Sequence, residues 1–170
     1  RKSFAEARKR VRLVSRDLTE SLQHQTATGD VLKIVSRSVS DAQPVFDAIL
    51  ASVLKLFKGF DATVWMVEGD HLRPVARGGA THPADSPAVP IAEDPHLLAL
   101  VAEGKSYSID DTAADPIISE ARRERLMTRG RRSHAGVPLV RQGTTIGSIT
   151  ISSTKPTKFT EGQMELLQTF

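Results

Sequence analysis

The strongest constraint in this chain is a stripe of apolar residues between positions 45 and 57. Val45, Phe46, Ile49, Leu50, Val53, Leu54 and Phe57 recur at helical spacing, so one wide face of a single helix is apolar. Pro44 suits an early helical position and Gly59 a left-handed cap, which bounds the element at both ends. A stripe that broad needs a flat partner, and the residues that follow supply a sheet. Ala62–Val67 meets a turn at Glu68-Gly69-Asp70 and returns as Leu72–Ala76. In the first of these runs Ala62, Val64 and Met66 occupy one side, and Thr63, Trp65 and Val67 the other. Largely apolar on both sides, the run predicts a strand covered on both faces.

Further along, Ala135–Ile151 reads as a hairpin with Arg141-Gln142-Gly143 at its turn. Ile146 differs in parity from Ile149 and Ile151, which predicts a bulge near Gly147. Asp94-Pro95 is a cap followed by a first-turn proline; it opens a short helix through Leu97, Leu98 and Val101 that Gly104 ends. A Tyr107–Asp111 segment follows. Asp115-Pro116 repeats the start signal for an Arg-rich helix through Ile117, Ile118, Ala121 and Leu126, ending near Gly130. Thr160 and Gln163 form a capping box for a last helix, with Phe159 placed to staple onto Met164. No stop signal precedes Phe170, so this helix is expected to continue onward as a truncated element. Residues 78–92 lack periodicity and read as a long loop, a kind of segment that tends to be functional or mobile.

The leading segment differs from the rest. Phe4, Val11, Leu18, Leu22 and Leu32 fall near a seven-residue spacing, although Ser15, Gln25 and Gly29 interrupt the seam. Residues 1–39 are therefore expected to form a largely helical, coiled-coil-like element that pairs with a second copy. Residues 1–16 hold seven Arg or Lys against Glu6 alone, and the remainder is mildly acidic. With so few aromatics interleaved, a solvated helix face or linker explains these charges better than nucleic-acid binding does. No apolar run is long enough to span a membrane, and no signal peptide is recognisable. The chain has no cysteine, which removes disulfides and thiolate metal ligands and fits a reducing cytoplasm.

Taken in order, Leu22–Thr28 with Val31–Ser36, Gln43–Leu50, Val137–Gly147 and Phe159-Thr160 make the chain resemble a GAF domain, in particular those of bacterial sensor histidine kinases and related multidomain signalling proteins. The resemblance covers roughly residues 18–170. It implies an α+β fold of α/β/α layers: a central antiparallel β-sheet of five or six strands, N- and C-terminal helices on one face, and loops and short helices enclosing a pocket on the other. Residues 40–170 would be the sensory domain. The resemblance further implies a cytoplasmic module that binds a small molecule, dimerises, and biases an output domain, with a histidine kinase as the favoured parent enzyme. A ligand-free dimerisation module, in a protein such as a nucleotide cyclase, is the alternative. The absence of cysteine argues against covalent bilin attachment, and no cyclic-nucleotide signature of the Asn-Lys-x-Phe-Asp-Glu type is present. It also argues against the methionine sulfoxide reductase chemistry found on this fold, which uses cysteine.

The residues proposed to line the pocket are Trp65, Arg77, His96, Tyr107, Asp110 and His134. Trp65 and Tyr107 suit a flat ligand, although plain core packing uses the same residues. His96 and His134 lack a second ligand at metal-like spacing. Asp110, with Asp111 and Asp115, fits turn and cap roles better than a cation site. Arg122, Arg123, Arg125, Arg129, Arg131 and Arg132 read as a solvated helix face interspersed with Glu120 and Glu124, ahead of a phosphate or acidic-partner site. No catalytic residues, metal or resident cofactor are expected. The expected partners are a second copy, joined through Phe4, Val11, Leu18, Leu22 and the terminal helices, and an unidentified small molecule; neither nucleic acid nor membrane is expected.

Overall fold

The computed structural model describes residues 42–81 and 86–170. The helical element expected over 1–39, with its seam at Phe4, Val11, Leu18 and Leu22, lies outside the described residues. Residues 42–56 form helix α1, and Gly59 beyond it takes a left-handed φ of 86°. Six strands follow: β1 (Asp61–Glu68), β2 (His71–Gly78), β3 (Val89–Pro90), β4 (Tyr107–Ile109), β5 (Ser133–Arg141) and β6 (Thr144–Ser153). They make one sheet in the order β3-β2-β1-β6-β5-β4, and every neighbouring pair is antiparallel. Helices α2 (Pro95–Glu103), α3 (Glu120–Thr128) and α4 (Glu161–Leu167) complete the elements.

One face of the sheet is closed by α1 and α4. Val53 of α1, Phe57 just beyond it, Ala62 of β1 and Leu167 of α4 share a buried cluster with Ala135, Val137, Ile149 and Ile151. Phe159 belongs to this cluster and Met164 packs against it, as the staple predicts. The stripe on α1 is narrower than its sequence suggests, because Val45 stays 58% exposed while Phe46, Val53 and Phe57 are buried. On the opposite face, a second cluster gathers Leu72, Val89, Leu97, Leu100, Tyr107 and Ile109 with Ile118 and Leu126, and Trp65 and Val67 pack against it. Strand β1 is thus covered on both sides, in the parity expected.

Local chemistry fixes the connections. Gln142 and Gly143 have φ of 51° and 79°, so β5 and β6 join through a two-residue turn with both residues left-handed. Leu139 pairs with Gly147 and Val140 with Thr145, leaving Ile146 as the extra residue of a bulge. Asp94 caps α2 by accepting from the His96 amide, and Gly104 ends the helix at φ 65°. Thr160 and Gln163 complete the reciprocal capping box of α4.

Two expectations are corrected. The Arg-rich helix starts at Glu120 rather than at Asp115-Pro116. The Asp115 carboxylate accepts from the Ile117 and Ile118 amides in a tight turn, and the helix is capped instead by Ser119. The stretch from 78 to 92 is not all loop, since Val89 and Pro90 pair with Leu72 and His71 as an edge strand, followed by a 3-10 turn at Ile91–Glu93.

Candidate functional site

The second face of the sheet encloses a cavity of about 130 Å³. Strand alternation builds its floor. With Ala135, Ile149 and Ile151 turned to the helix side, His134 of β5 and Ser148, Thr150 and Ser152 of β6 turn to the cavity, joined by Thr63 and Trp65 of β1. Leu72, Leu97, Tyr107 and Leu126 contribute apolar walls, and residues 86–90 line one side. Tyr107 can lie flat over the sheet because its partner across the strands is Gly136. A Cβ at that position would stand 2.6 Å from the tyrosine ring. The ring stacks on His96 with centroids 5.3 Å apart and meets His134 edge-on at 5.6 Å.

The other wall is basic. Arg122 and Arg125 of α3 and Arg129 at its C-terminal cap lie at i, i+3 and i+7, a spacing that places them with Leu126 on one side, and all line the cavity. Arg131 joins them just after the helix. Three of the four guanidinium groups are matched. Arg122 Nε donates to Asp94 at 3.0 Å, Arg125 to Glu93 at 2.6 Å, and Arg131 to Asp61 at 2.5 Å. Arg131 also donates to the Ser152 hydroxyl, and Asp61 accepts from both the hydroxyl and the amide of Thr81. Burial alone would raise the Asp61 pKa, but Thr81 and Arg131 outweigh it and hold the carboxyl below its ordinary value. Asp94 is fully buried and does two jobs, capping α2 with one oxygen and holding α3 through Arg122 with the other. Arg129 is half-buried, and its side chain has no ion-pair or hydrogen-bond partner among the described residues.

Two buried groups on the floor are likewise unanswered. Both ring nitrogens of His134 and the Ser148 hydroxyl lack a hydrogen-bond partner among the described residues, although these residues are only 4% and 0% exposed. Burial, with the positive charges of Arg122, His96 and Arg131, pushes the His134 pKa down to about 3, so its imidazole is neutral at ordinary pH. Burial and the nearby Asp94 push the Tyr107 phenol up, keeping its hydroxyl protonated. Trp65 by contrast is tied down, its indole N–H donating to Thr150 at 2.9 Å.

Of the six residues singled out in the sequence, Trp65, Tyr107 and His134 line the cavity. His96 is one layer back, behind the Tyr107 ring, with its Nε2 3.4 Å from the Asp115 carboxylate. Arg77 is exposed and lines no part of the cavity, although it pairs across β1 with Thr63. Asp110 is also exposed. Its backbone and side chain accept from the Thr157 and Phe159 amides, which fasten the segment entering α4 to the end of β4. The expectation of a merely solvated arginine face is corrected for Arg122 and Arg131, whose side chains are largely buried against Asp94 and Asp61, while Arg125 and its partner Glu93 stay exposed and Arg129 is half-buried. Their helical spacing was visible in the sequence, but the three carboxylates that accompany them come from distant segments. Arg123 holds loop carbonyls at Thr112, Ala113 and Asp115, and Arg132 grips Asp111, so these two act structurally. Among the described residues no group of three or more His, Cys, Asp or Glu side chains is placed to hold a metal ion.

Several solved structures share this architecture. The blue-light absorbing form of the PixJ GAF domain of Thermosynechococcus elongatus aligns with a TM-score of 0.65 and 18% identity, over 76% of this chain and 79% of that one. The type II free methionine-R-sulfoxide reductase of Thermoplasma acidophilum aligns at 0.62 and 19%, over 77% and 87%. A domain described as that of a two-component sensor histidine kinase protein from Sinorhizobium meliloti 1021 aligns at 0.56 and 17%, over 74% and 82%. At such identities the likeness is one of fold. The comparison with curated proteins gives no match. The family model for the GAF domain matches residues 41–170, most of the sequence. With its six-stranded antiparallel sheet, helices on one face and a cavity on the other, the chain belongs to the GAF domain family.

Proposed function

We propose that this chain is a sensory module that binds a small polar molecule in the cavity and passes the effect, through its flanking helices, to an output domain. The observation that carries this reading is the pair of buried, unanswered polar groups on the cavity floor, the His134 imidazole and the Ser148 hydroxyl. Leaving such groups unmatched costs about 1–3 kcal/mol each, a cost that a guest with complementary polar atoms removes. The signalling route follows from the layout. The cavity and the helix-side core share strands β1, β5 and β6, so a guest acts on one face of a sheet whose other face holds α1 and α4. It can bias the output only by its difference in affinity between two states of the module.

A cytoplasmic histidine kinase is our preferred parent, with a homodimer formed through residues 1–39 and the terminal helices. The fold likeness to the Sinorhizobium meliloti domain supports that choice. A regulatory role is favoured over a catalytic one because the chain lacks the cysteine that methionine sulfoxide reduction on this fold would use. A ligand-free spacer would be expected to close its pocket around Trp65 and Tyr107, whereas here an open cavity lies beside both.

A thermal-shift screen of the whole chain against metabolites, nucleotides and haem tests the reading. At least one compound should raise Tm by several degrees in a saturable manner, and Ser148→Leu, which fills the cavity floor, should abolish the shift. A broad panel in which nothing stabilises the protein, or in which the shift survives Ser148→Leu, overturns it.

A further inference from the structure

The charges around the cavity are unevenly matched. Arg122, Arg125 and Arg131 each have a carboxylate within 3.0 Å, supplied by Asp94, Glu93 and Asp61. Arg129 lines the same wall, half-buried and with no side-chain partner among the described residues. Among the described residues, the lining and its immediate counter-ions therefore leave one positive charge unmatched. A guest with a single negative charge answers it, whereas a dianion would have to draw a second guanidinium away from its carboxylate. His134 cannot supply that second charge, because its buried imidazole stays neutral. What it offers is one N–H donor and one acceptor at the Ser152 end of the floor, while the Ser148 hydroxyl lies four residues away along β6.

The apolar part of the lining is the Trp65 indole on the floor with Leu72, Leu97 and Leu126 around it, beside Thr63, Ser86, Thr150 and Ser152. A volume of about 130 Å³ is close to the roughly 150 Å³ of an engineered apolar cavity in another protein that takes up benzene, so it suits a guest of one ring. We infer that the cavity binds a small monocarboxylic acid of about one ring in size, its carboxylate held by Arg129 and a polar substituent met by Ser148. The planar fork of a guanidinium matches a carboxylate with two parallel hydrogen bonds, which makes this end of the guest the orienting one.

The inference rests on the ligand-binding reading above, and its test separates the two. Benzoate, 4-hydroxybenzoate, benzamide and phenyl phosphate are titrated into the whole chain by calorimetry and by Trp65 fluorescence, since Trp65 is the sole tryptophan. Benzoate should bind about tenfold or more tightly than its neutral isostere benzamide and more tightly than phenyl phosphate, and 4-hydroxybenzoate should gain further affinity. Arg129→Gln should erase the preference of benzoate over benzamide while leaving Tm nearly unchanged, because this side chain makes no polar contact among the described residues. Ser148→Ala should erase the gain from the ring hydroxyl and leave that preference in place. Equal binding of benzoate and benzamide, tighter binding of phenyl phosphate, or an undiminished preference in Arg129→Gln overturns the carboxylate assignment but leaves a ligand pocket standing. If none of the four binds at millimolar concentration while the metabolite screen yields another guest, the ligand class is wrong. If that screen is also empty, the sensory reading fails with it.

Discussion

The two faces of the one sheet are built to different rules. On the helix side, Ala135, Val137, Ile149 and Ile151 are at most 1% exposed and meet the side chains of α1 and α4 in a continuous apolar layer. On the cavity side, their sequence neighbours are His134, Ser148, Thr150 and Ser152, faced by arginines and carboxylates. Both sets are largely removed from water, yet only the first is close-packed. Successive strand residues point to opposite faces, so the same strands hold a sealed core on one side and a polar chamber on the other. The contrast shows where stability and recognition reside. The core has little freedom to change without loss of folding, while the chamber has unanswered groups whose removal should cost the fold little.

This contrast can be broken most severely where the chamber itself is structural. Asp61→Ala should cost about 3–5 kcal/mol, because it strands the buried Arg131 guanidinium without its counter-charge. Chemical denaturation measures this, and a loss below about 1 kcal/mol would show that the pair is solvated. On the helix side, Ile149→Ala should cost about 2–5 kcal/mol through lost burial and the void left in a packed layer. Its neighbour Ser148, facing the other way, should respond oppositely: Ser148→Ala removes an unmatched hydroxyl and should leave stability unchanged or slightly raised. Equal losses at 148 and 149 would refute the distinction between the faces.

Acid sharpens the comparison with a smaller effect. The folded state keeps His134 neutral down to about pH 3, whereas the unfolded chain protonates it near its ordinary 6.5. The unfolded state binds more protons between these values, so stability falls as pH drops through that window, by about 2 kcal/mol at pH 5. His134→Asn should flatten that slope. Further loss below the ordinary aspartate value of 3.8 should persist in the variant, because the lowered Asp61 carboxyl is stabilising only while ionised. Equilibrium unfolding from pH 7 to about 2.5 provides the measurement, and an unaltered slope in His134→Asn would assign the effect elsewhere. A smaller loss lies outside both faces. Thr160→Ala removes half of the capping box on α4 and should cost about 1 kcal/mol by the same measurement, with no change in ligand response.

Elements whose signals are local were legible in advance. The Asp94 and Thr160 caps, the Gly59 and Gly104 stops, the turn before Thr144 and the bulge beside Gly147 each depend on residues a few positions apart. The helix from Glu120 was misjudged at its start because two cap-like residues, Asp115 and Ser119, compete within one turn, and only packing selects between them. Ile118 supplies that choice, being buried in the cavity-side cluster just ahead of the cap. The arginines show the same limit on a larger scale. Their spacing on one helix face could be read, but a charge run on a helix is most often solvated.

The sequence by itself determined the alternation of β1, the stripe that demands a sheet, the caps and turns that delimit the helices, and the lack of thiol chemistry. Tertiary structure decided which charges meet. Asp61 and Arg131 are 70 positions apart, Glu93 and Arg125 are 32, and Asp94 and Arg122 are 28. Whether a guanidinium is matched or left for a guest depends on distances that only the packing of β1, α2, α3 and β5 establishes. Coulomb and hydrogen-bond energies fall off within a few ångströms, and spacing along the chain carries no record of them.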